Sequence, residues 1–484
     1  MPLDADVRAE FVALLGAADV IDDPIRTRTY ECDGLTGSRV VPELVLLPRT
    51  ADGVAGCVRI CARHGIPFVA RGAGTGLSGG ALPVADGVVI GLNRLDRVLE
   101  IDPDDRRAVL EPGVTNVEIT AAAAPYGLYY APDPSSQQVC TIGGNVAENS
   151  GGAHCLKYGF TTNHVLSMEV VLPDGSMVEL GTDSAEQQGP DLRGVFLGSE
   201  GTLGVVTKIT VRLLRTPEVM RTLLADFGSV AAGGQVVSDI VAAGIVPAAV
   251  EMMDALAIEA AEGATGAGYS LDTPAALVVE LDGTVEECDE QFARVKEICD
   301  RHGCTRLHVA GSPQERANIW RGRKAAFAAV GRISPDYIVQ DGVVPRTRLA
   351  EVLERIDEMG RAAGLRVANV FHAGDGNLHP LVLFCAADGE TERAEELSAA
   401  IAELCVEMGG SLSGEHGIGT DKACSMPKMF GADDLAVMDR IRAAFDPDRL
   451  CNPGKLLPTP RLCGEKPGRY RPHPLEEAGL IERL

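Results

Sequence analysis

The feature that most restricts the fold is a glycine-dense loop, Val69-Ala-Arg71-Gly72-Ala73-Gly74-Thr75-Gly76-Leu-Ser78-Gly79-Gly80. Gly74, Gly76 and Gly79 formally satisfy the G-x-G-x-x-G spacing, which in nicotinamide-binding proteins lies between a strand and a helix. No helical pattern follows here, because Pro83 and a second strand-like run, Gly87–Leu92, come within a few residues. The loop therefore joins strand to strand, which is wrong for a nicotinamide Rossmann unit. What remains is a backbone able to turn at positive φ and to present consecutive N–H groups to an anion.

Two further loops share this character. One runs Ala131-Pro132-Asp133-Pro-Ser135-Ser136 and continues as Thr141-Ile-Gly143-Gly144-Asn145-Val-Ala-Glu-Asn149-Ser150-Gly151-Gly152. The other is Gly198-Ser-Glu200-Gly201-Thr-Leu-Gly204-Val205-Val206. Each alone has a turn-rich surface loop as its competing reading, whereas the three together are better explained by an extended cofactor wrapped in backbone.

The second signal is the run Asn369-Val-Phe-His372-Ala-Gly-Asp375-Gly376-Asn-Leu-His379-Pro-Leu-Val-Leu. Asp-Gly between apolar runs marks a hairpin. With Asp375 and Gly376 as the two central residues, 374 pairs with 377, 373 with 378 and His372 with His379. Directly opposed residues hold their Cβ atoms roughly 4.5–5.5 Å apart, so two imidazoles could grip one metal ion, with Glu415 in Ser413-Gly-Glu415-His416-Gly as a third ligand. Taken alone, the pair is as well read as two satisfied strand histidines. The balance moves because the chain has nine histidines and three fall in these two Gly-rich segments.

At 484 residues the chain is too long for one ordinary core, which suggests two or more domains. The net charge of −25 argues against a nucleic-acid partner. Thirteen cysteines without regular spacing do not form a disulfide framework, and Cys57 and Cys61 read as small apolar residues of one helix. No C-x-x-C occurs, so an iron–sulfur cluster in this chain is not supported. An acidic N-terminal segment and the lack of an apolar run of about 18 residues predict no signal peptide and no direct membrane insertion, hence a cytoplasmic setting.

Residues 1–37 read as an N-terminal helical segment, with Val7, Phe11, Leu14 and Leu15 on one helix face. Residues 38–216 alternate strands, among them Leu44–Leu47, Pro67–Ala70, Ala108–Glu111, Met168–Leu172 and Val205–Leu213, with a helix at Ala51–His64. Residues 217–410 change to long helices, 251–262, 284–303, 347–363 and 391–409, with short strands such as Ala276–Leu281. That pattern predicts an α+β second domain. Residues 411–458 form a segment returning to the site, and 459–484 a polar surface tail.

Arg71–Gly80, Pro132–Gly152 and Gly198–Val206 together resemble the FAD-binding domain of the vanillyl-alcohol oxidase family. His372–His379, Ser413–Gly419 and Asn452-Pro-Gly-Lys455 resemble the C-terminal half of its FAD-linked D-2-hydroxyacid dehydrogenase branch, most closely the flavin subunits of glycolate oxidases. The resemblance covers about residues 20–458 and implies an α+β fold. That fold has a two-part FAD-binding domain, an α+β substrate (cap) domain and the C-terminal return segment.

The resemblance further implies that the FAD diphosphate lies over Arg71, Gly72, Ala73, Gly74, Thr75, Gly76 and Ser78. Its isoalloxazine and ribityl parts would lie along Pro132, Asp133, Ser135, Ser136, Thr141, Gly143, Gly144, Asn145, Asn149, Ser150 and Gly151. Its adenosine end would approach Glu200, Gly201, Gly204, Val205 and Val206, and Asn452 belongs to the same set. Some relatives tether the flavin through a His in the first loop; none is present here, which implies non-covalent FAD.

His372, His379 and Glu415 match ligands of a divalent metal, usually zinc, and His416 matches the general base. Arg323, in Trp320-Arg321-Gly-Arg323-Lys324, is the expected partner of the substrate carboxylate, with a solvated charge cluster on a helix as the plainer reading. Relatives acting on dicarboxylates place a lysine shortly before the residue matching Asp341; Tyr337-Ile-Val-Gln340 has none, which favours a small 2-hydroxy acid, glycolate or D-lactate, over 2-hydroxyglutarate.

The implied partners are a second flavin-type subunit and an iron–sulfur subunit, with peripheral association at the inner face of a membrane. A stand-alone D-lactate or D-2-hydroxyglutarate dehydrogenase, a metallohydrolase built on the same three ligands and a non-catalytic assembly subunit are the competing readings.

Overall fold

A computed structural model describes residues 3–183 and 189–458; the 459–484 tail lies outside the described residues. Three sheets carry the site. The first places Leu44–Leu46 and Phe68–Arg71 parallel to, and on either side of, Val88–Gly91. Helix Ala51–His64 covers it: Thr50 caps the N-terminus by accepting from the Gly53 N–H, Gly65 ends the helix in the left-handed conformation, and Val54, Val58, Cys57 and Cys61 turn inward. Burial raises both thiols, Cys57 to about 12, as befits inert packing residues. The second sheet is antiparallel, in the order Val98–Asp102, Arg107–Leu110, Val205–Arg212, Val165–Val171, Met177–Gly181.

The third sheet has eight strands. Its main order is Cys304–Val309, Val219–Phe227, Ala275–Gly283, Ala249–Asp254, Arg366–His372, Asn377–Phe384, Asp336–Val339, all antiparallel, with Gly342–Val343 also pairing onto Asn377–Phe384. Alternating residues separate its two faces. Leu223, Ala225 and Phe227 join a core with helices Val230–Ala242, Val285–Arg301, Leu349–Ala363 and Thr391–Glu407. Leu224, Met253 and Val278 join another with helices Ala255–Thr265 and Pro313–Ala329.

Three expectations need correction. Residues 251–254 are not the start of a helix: Glu251-Met-Met-Asp254 is strand, paired on both sides, and Asp254 caps the helix that follows at Ala255–Thr265 by accepting from the Ala257 N–H. Strand partners on two flanks outweigh the local helical pattern. The second glycine loop contains a helix, Ile142–Glu148, ended by Asn149 at φ 52°. Finally, the hairpin register is His372 opposite Asn377 and His379 opposite Val370, with a four-residue connection Ala373–Gly376. A slip of two residues keeps every side chain on its face, so the histidines meet diagonally, ring centroids 5.1 Å apart.

The segment after residue 410 touches both halves. Ser411 bridges Val343, the Thr420 N–H donates to Ser78 O, and residues 450–452 bond Phe68 on the edge of the first sheet.

Candidate active site

A cavity of about 420 Å³ runs between the glycine loops and the third sheet. Arg71, Gly72, Ala73, Gly74, Thr75 and Gly76 line it, as do Ser135, Ser136, Thr141, Gly143, Gly144, Asn145, Ser150 and Gly151. The third loop contributes Glu200, Gly201, Gly204, Val205 and Val206; Lys324, Phe327, Tyr337, Val339, Glu415 and His416 close the other end. The backbone N–H groups of Gly72 to Gly76 donate to no acceptor among the described residues, which leaves a row of unpaired donors on a loop that lines this space. Such a row suits the diphosphate of a dinucleotide. The loop keeps its shape through Arg71, whose guanidinium turns back to donate to Cys32 O at 2.8 Å and Ala81 O at 3.2 Å. Gly143 is required for a different reason: a Cβ there would stand 2.6 Å from Pro112 Cβ.

Five residues expected at the cofactor stand behind this wall. Ser78 O accepts from Thr420 and Asp421, and Pro132 O accepts from Asn116 Nδ2. Asn149 Oδ1 accepts from the Thr162 N–H, and Asn452 Nδ2 donates to Gly80 O and Glu200 O. Asp133 pairs with His154 Nδ1 at 2.8 Å, and the other ring nitrogen reaches Glu280 at 3.4 Å, which ties the first half of the chain to the third sheet. Ser78 and Pro132 through their backbone carbonyls, and Asp133, Asn149 and Asn452 through their side chains, hold the loops, and none of the five lines the cavity.

At the far end, His372, His379 and Glu415 converge as expected. Glu415 Oε1 lies 3.2 Å from His372 Nε2 and 3.2 Å from His379 Nε2. A tetrahedral ion with bonds of about 2.0–2.1 Å separates its ligand atoms by about 3.3 Å, so these distances fit. Each imidazole is anchored through its other nitrogen: His372 Nδ1 to Glu251 at 2.7 Å, His379 Nδ1 to Gln340 O at 3.2 Å. That leaves both Nε2 atoms aimed at one point, and buried His379 Nε2 has no hydrogen-bond partner. Burial would push His372 down, but Glu251 and Glu415 outweigh it and hold it well up; burial likewise opposes the two histidines at Glu415, which is nevertheless held well down. The cluster calls for positive charge, which a divalent cation would supply.

His416 stacks on His379, centroids 4.9 Å apart, with its Nε2 4.0 Å from Glu415 Oε1. Burial lowers it to about 4, so it stands neutral, in the form that accepts a proton. Asp341 fixes this segment by accepting from the Ser413 hydroxyl at 2.6 Å and from the N–H groups of Gly414, Glu415 and His416 at 2.8–3.2 Å. Burial would raise Asp341, but His416 and Lys422 outweigh it and hold it at about 2.

Arg323 is not a solvated helix charge. It is 3% exposed and pairs with Glu251 at 2.5 Å, while its Nε has no hydrogen-bond partner. It does not line the cavity directly; Lys324, one residue on, does. Glu251 and Asp341 are the residues sequence reasoning missed as positioning groups. Glu251 was hidden by the helical reading of 251–262, and nothing local distinguishes Asp341.

Backbone donors on a loop that lines a large cavity, with a metal-competent cluster and a neutral histidine at one end, define a flavin-dependent oxidoreductase acting on a hydroxylated substrate. The comparisons agree. Residues 42–181 match the FAD binding domain model and residues 216–456 the model for FAD linked oxidases, C-terminal domain. The chain belongs to the FAD-linked oxidase family.

It is 52% identical over 437 residues to the glycolate oxidase subunit GlcD of Escherichia coli (strain K12), covering 90% of this chain and 88% of that one. It is 32% identical over 427 residues to a mitochondrial D-lactate dehydrogenase (cytochrome) of Arabidopsis thaliana, covering 87% and 74%. Among solved structures, p-cresol methylhydroxylase with substrate bound superimposes with a TM-score of 0.79 at 20% identity, covering 93% of this chain and 96% of that one. This likeness shows the shared vanillyl-alcohol oxidase fold. Among the described residues no helix is long and apolar enough to cross a membrane.

Proposed function

We propose that this chain oxidises a small 2-hydroxy acid, glycolate ahead of D-lactate, to the 2-oxo acid, as the flavin subunit of a multi-subunit glycolate oxidase. The observation that carries the reading is the meeting of His372, His379, Glu415 and His416 at the end of the flavin cavity. Non-covalent FAD supplies the hydride acceptor when bound, and a divalent metal, zinc by its donor set, supplies a Lewis acid for the α-hydroxyl.

The chain's own residues do the rest. His372, His379 and Glu415 would hold the metal, three protein ligands being the number that a catalytic site uses. His416 takes the hydroxyl proton as the Cα hydride departs, so the alcohol loses one proton to the histidine and one hydride, with both electrons, to the acceptor. Lys324, which lines the cavity, and Arg323, held behind it by Glu251 with a free Nε, are the cations offered to the carboxylate, and Glu251 also sets the position of His372.

The Escherichia coli relative is a glycolate oxidase subunit, which supports assembly with other chains. A second flavin-type subunit and an iron–sulfur subunit at the inner membrane face would carry electrons onward. Anaerobic addition of glycolate, D-lactate and L-lactate to the purified yellow protein tests the activity. Bleaching by glycolate without nicotinamide is expected, and a protein that binds FAD but is bleached by none of the panel would refute it.

A further inference from the structure

The residue of the flavin cavity that no part of this mechanism uses is Glu148, the last residue of helix Ile142–Glu148. Its carboxyl group is wedged between two segments that only glycine permits. A Cβ on Gly80 would stand 2.4 Å from Oε1, and one on Gly417 would stand 2.3 Å from Oε2. The same point over Gly417 is 2.9 Å from Glu200 Oε1, so two carboxyl groups meet there.

Their partners differ sharply. Glu200 accepts the Ile418 N–H at 2.6 Å with one oxygen and the Gly419 N–H at 2.7 Å with the other, the environment of a carboxylate. Buried Glu148 Oε2 has no hydrogen-bond partner. Two adjacent carboxyl groups do not both ionise in such a place, and the backbone donors assign the charge to Glu200. Burial, then Glu200 and Asp33, push Glu148 well up, with only Lys422 opposing.

We propose that Glu148 lines the flavin cavity as a neutral carboxylic acid and gives an acceptor atom of the flavin nucleotide a hydrogen bond through Oε1, Oε2 being closed off against Gly417 and Glu200. The inference rests on the flavin reading of the cavity. Its Oε1 lies near the donor loop at Gly80 and its Oε2 near Gly417, next to His416. Glu148 is thus a cofactor-positioning residue between the diphosphate cradle and the reacting end.

Apoprotein titrated with FAD, read by quenching of flavin fluorescence, tests this in wild type, Glu148→Gln and Glu148→Leu. Gln keeps a neutral donor and should bind within about threefold of wild type, whereas Leu should weaken binding about fivefold or more. Leu equal to wild type, or Gln as weak as Leu, would overturn the proposal. Should Leu fail to fold, Glu148→Met, which keeps the side-chain length without a donor, takes its place with the same two outcomes. Wild-type protein that takes up no FAD would overturn the flavin assignment itself, an outcome separate from equal affinities among variants that bind.

Discussion

Replacing Glu251 by Gln should separate metal affinity from flavin binding. Glu251 is 1% exposed; its oxygens lie 2.7 and 2.9 Å from His372 Nδ1, and Oε2 lies 2.5 Å from Arg323 Nη2. Gln retains an oxygen to accept from His372 but removes the charge. Carboxylate support behind a metal-binding histidine is worth about 10–100-fold in affinity, or about 1.4–2.8 kcal/mol. The same change strands a buried guanidinium, and breaking a buried pair from one side costs about 3–5 kcal/mol. Because Gln keeps part of the hydrogen bonding, the lower end, about 3 kcal/mol, is expected in urea unfolding of the metal-free protein. Zinc affinity is read by competition with a chromophoric chelator, and FAD affinity by fluorescence quenching. The double variant Glu251→Gln with Arg323→Met removes the stranded charge; it should regain most of the stability while its zinc affinity stays low. Unchanged zinc affinity in a folded Glu251→Gln protein would refute the argument that this carboxylate aims His372 at a metal.

His416→Ala should retain FAD yet reduce it about 10²–10⁴ times more slowly in stopped-flow bleaching by glycolate; wild-type rates would remove His416 as the base. Gly376→Ala places a Cβ 2.1 Å from Val344 O at a backbone φ of +82°. Its thermal unfolding should show a loss of more than about 1 kcal/mol, and an unchanged midpoint would contradict the tight approach. Burial raises Asp254 from 3.8 to about 6, against the hydrogen bonds from Ala257 and Asn369. The folded chain therefore keeps a proton that the unfolded chain releases. This contribution is complete below the lower value and is lost as pH rises through the upper one. Asp254→Asn should flatten that slope in urea unfolding measured across the interval, and an unaltered slope would show that Asp254 does not titrate there.

What the sequence made legible depended on the range of the interaction. Strand–loop–strand order around Gly72–Gly80 was readable because proline and glycine act within a few residues. Lining residues such as Gly143 could be anticipated too, since glycine marks close approach even where the partner, Pro112, is unknown. The hairpin shows where local rules stop. The Asp-Gly signal placed the turn correctly, but its centre falls between Gly374 and Asp375, because Asp375 Oδ1 takes the Asn377 N–H and Gly376 is pressed against Val344 O. Strand Gly342–Val343, far away in sequence, decides that, and no pattern within the hairpin contains it. The meeting of His372, His379 and Glu415 survived the error because a shift of two residues preserves the facing of a strand, whereas a shift of one would have turned both histidines away. Glu251 had no such protection: a helical periodicity assigned to a strand gives no face at all, so the carboxylate behind His372 emerged only when Ala249–Asp254 was placed between its two neighbours. Parity along a strand is therefore the sequence-level quantity that fixes which ligands can meet. The groups that aim them come from pairing partners over a hundred residues away, as Glu251 and His372 do, at a sequence separation of 121.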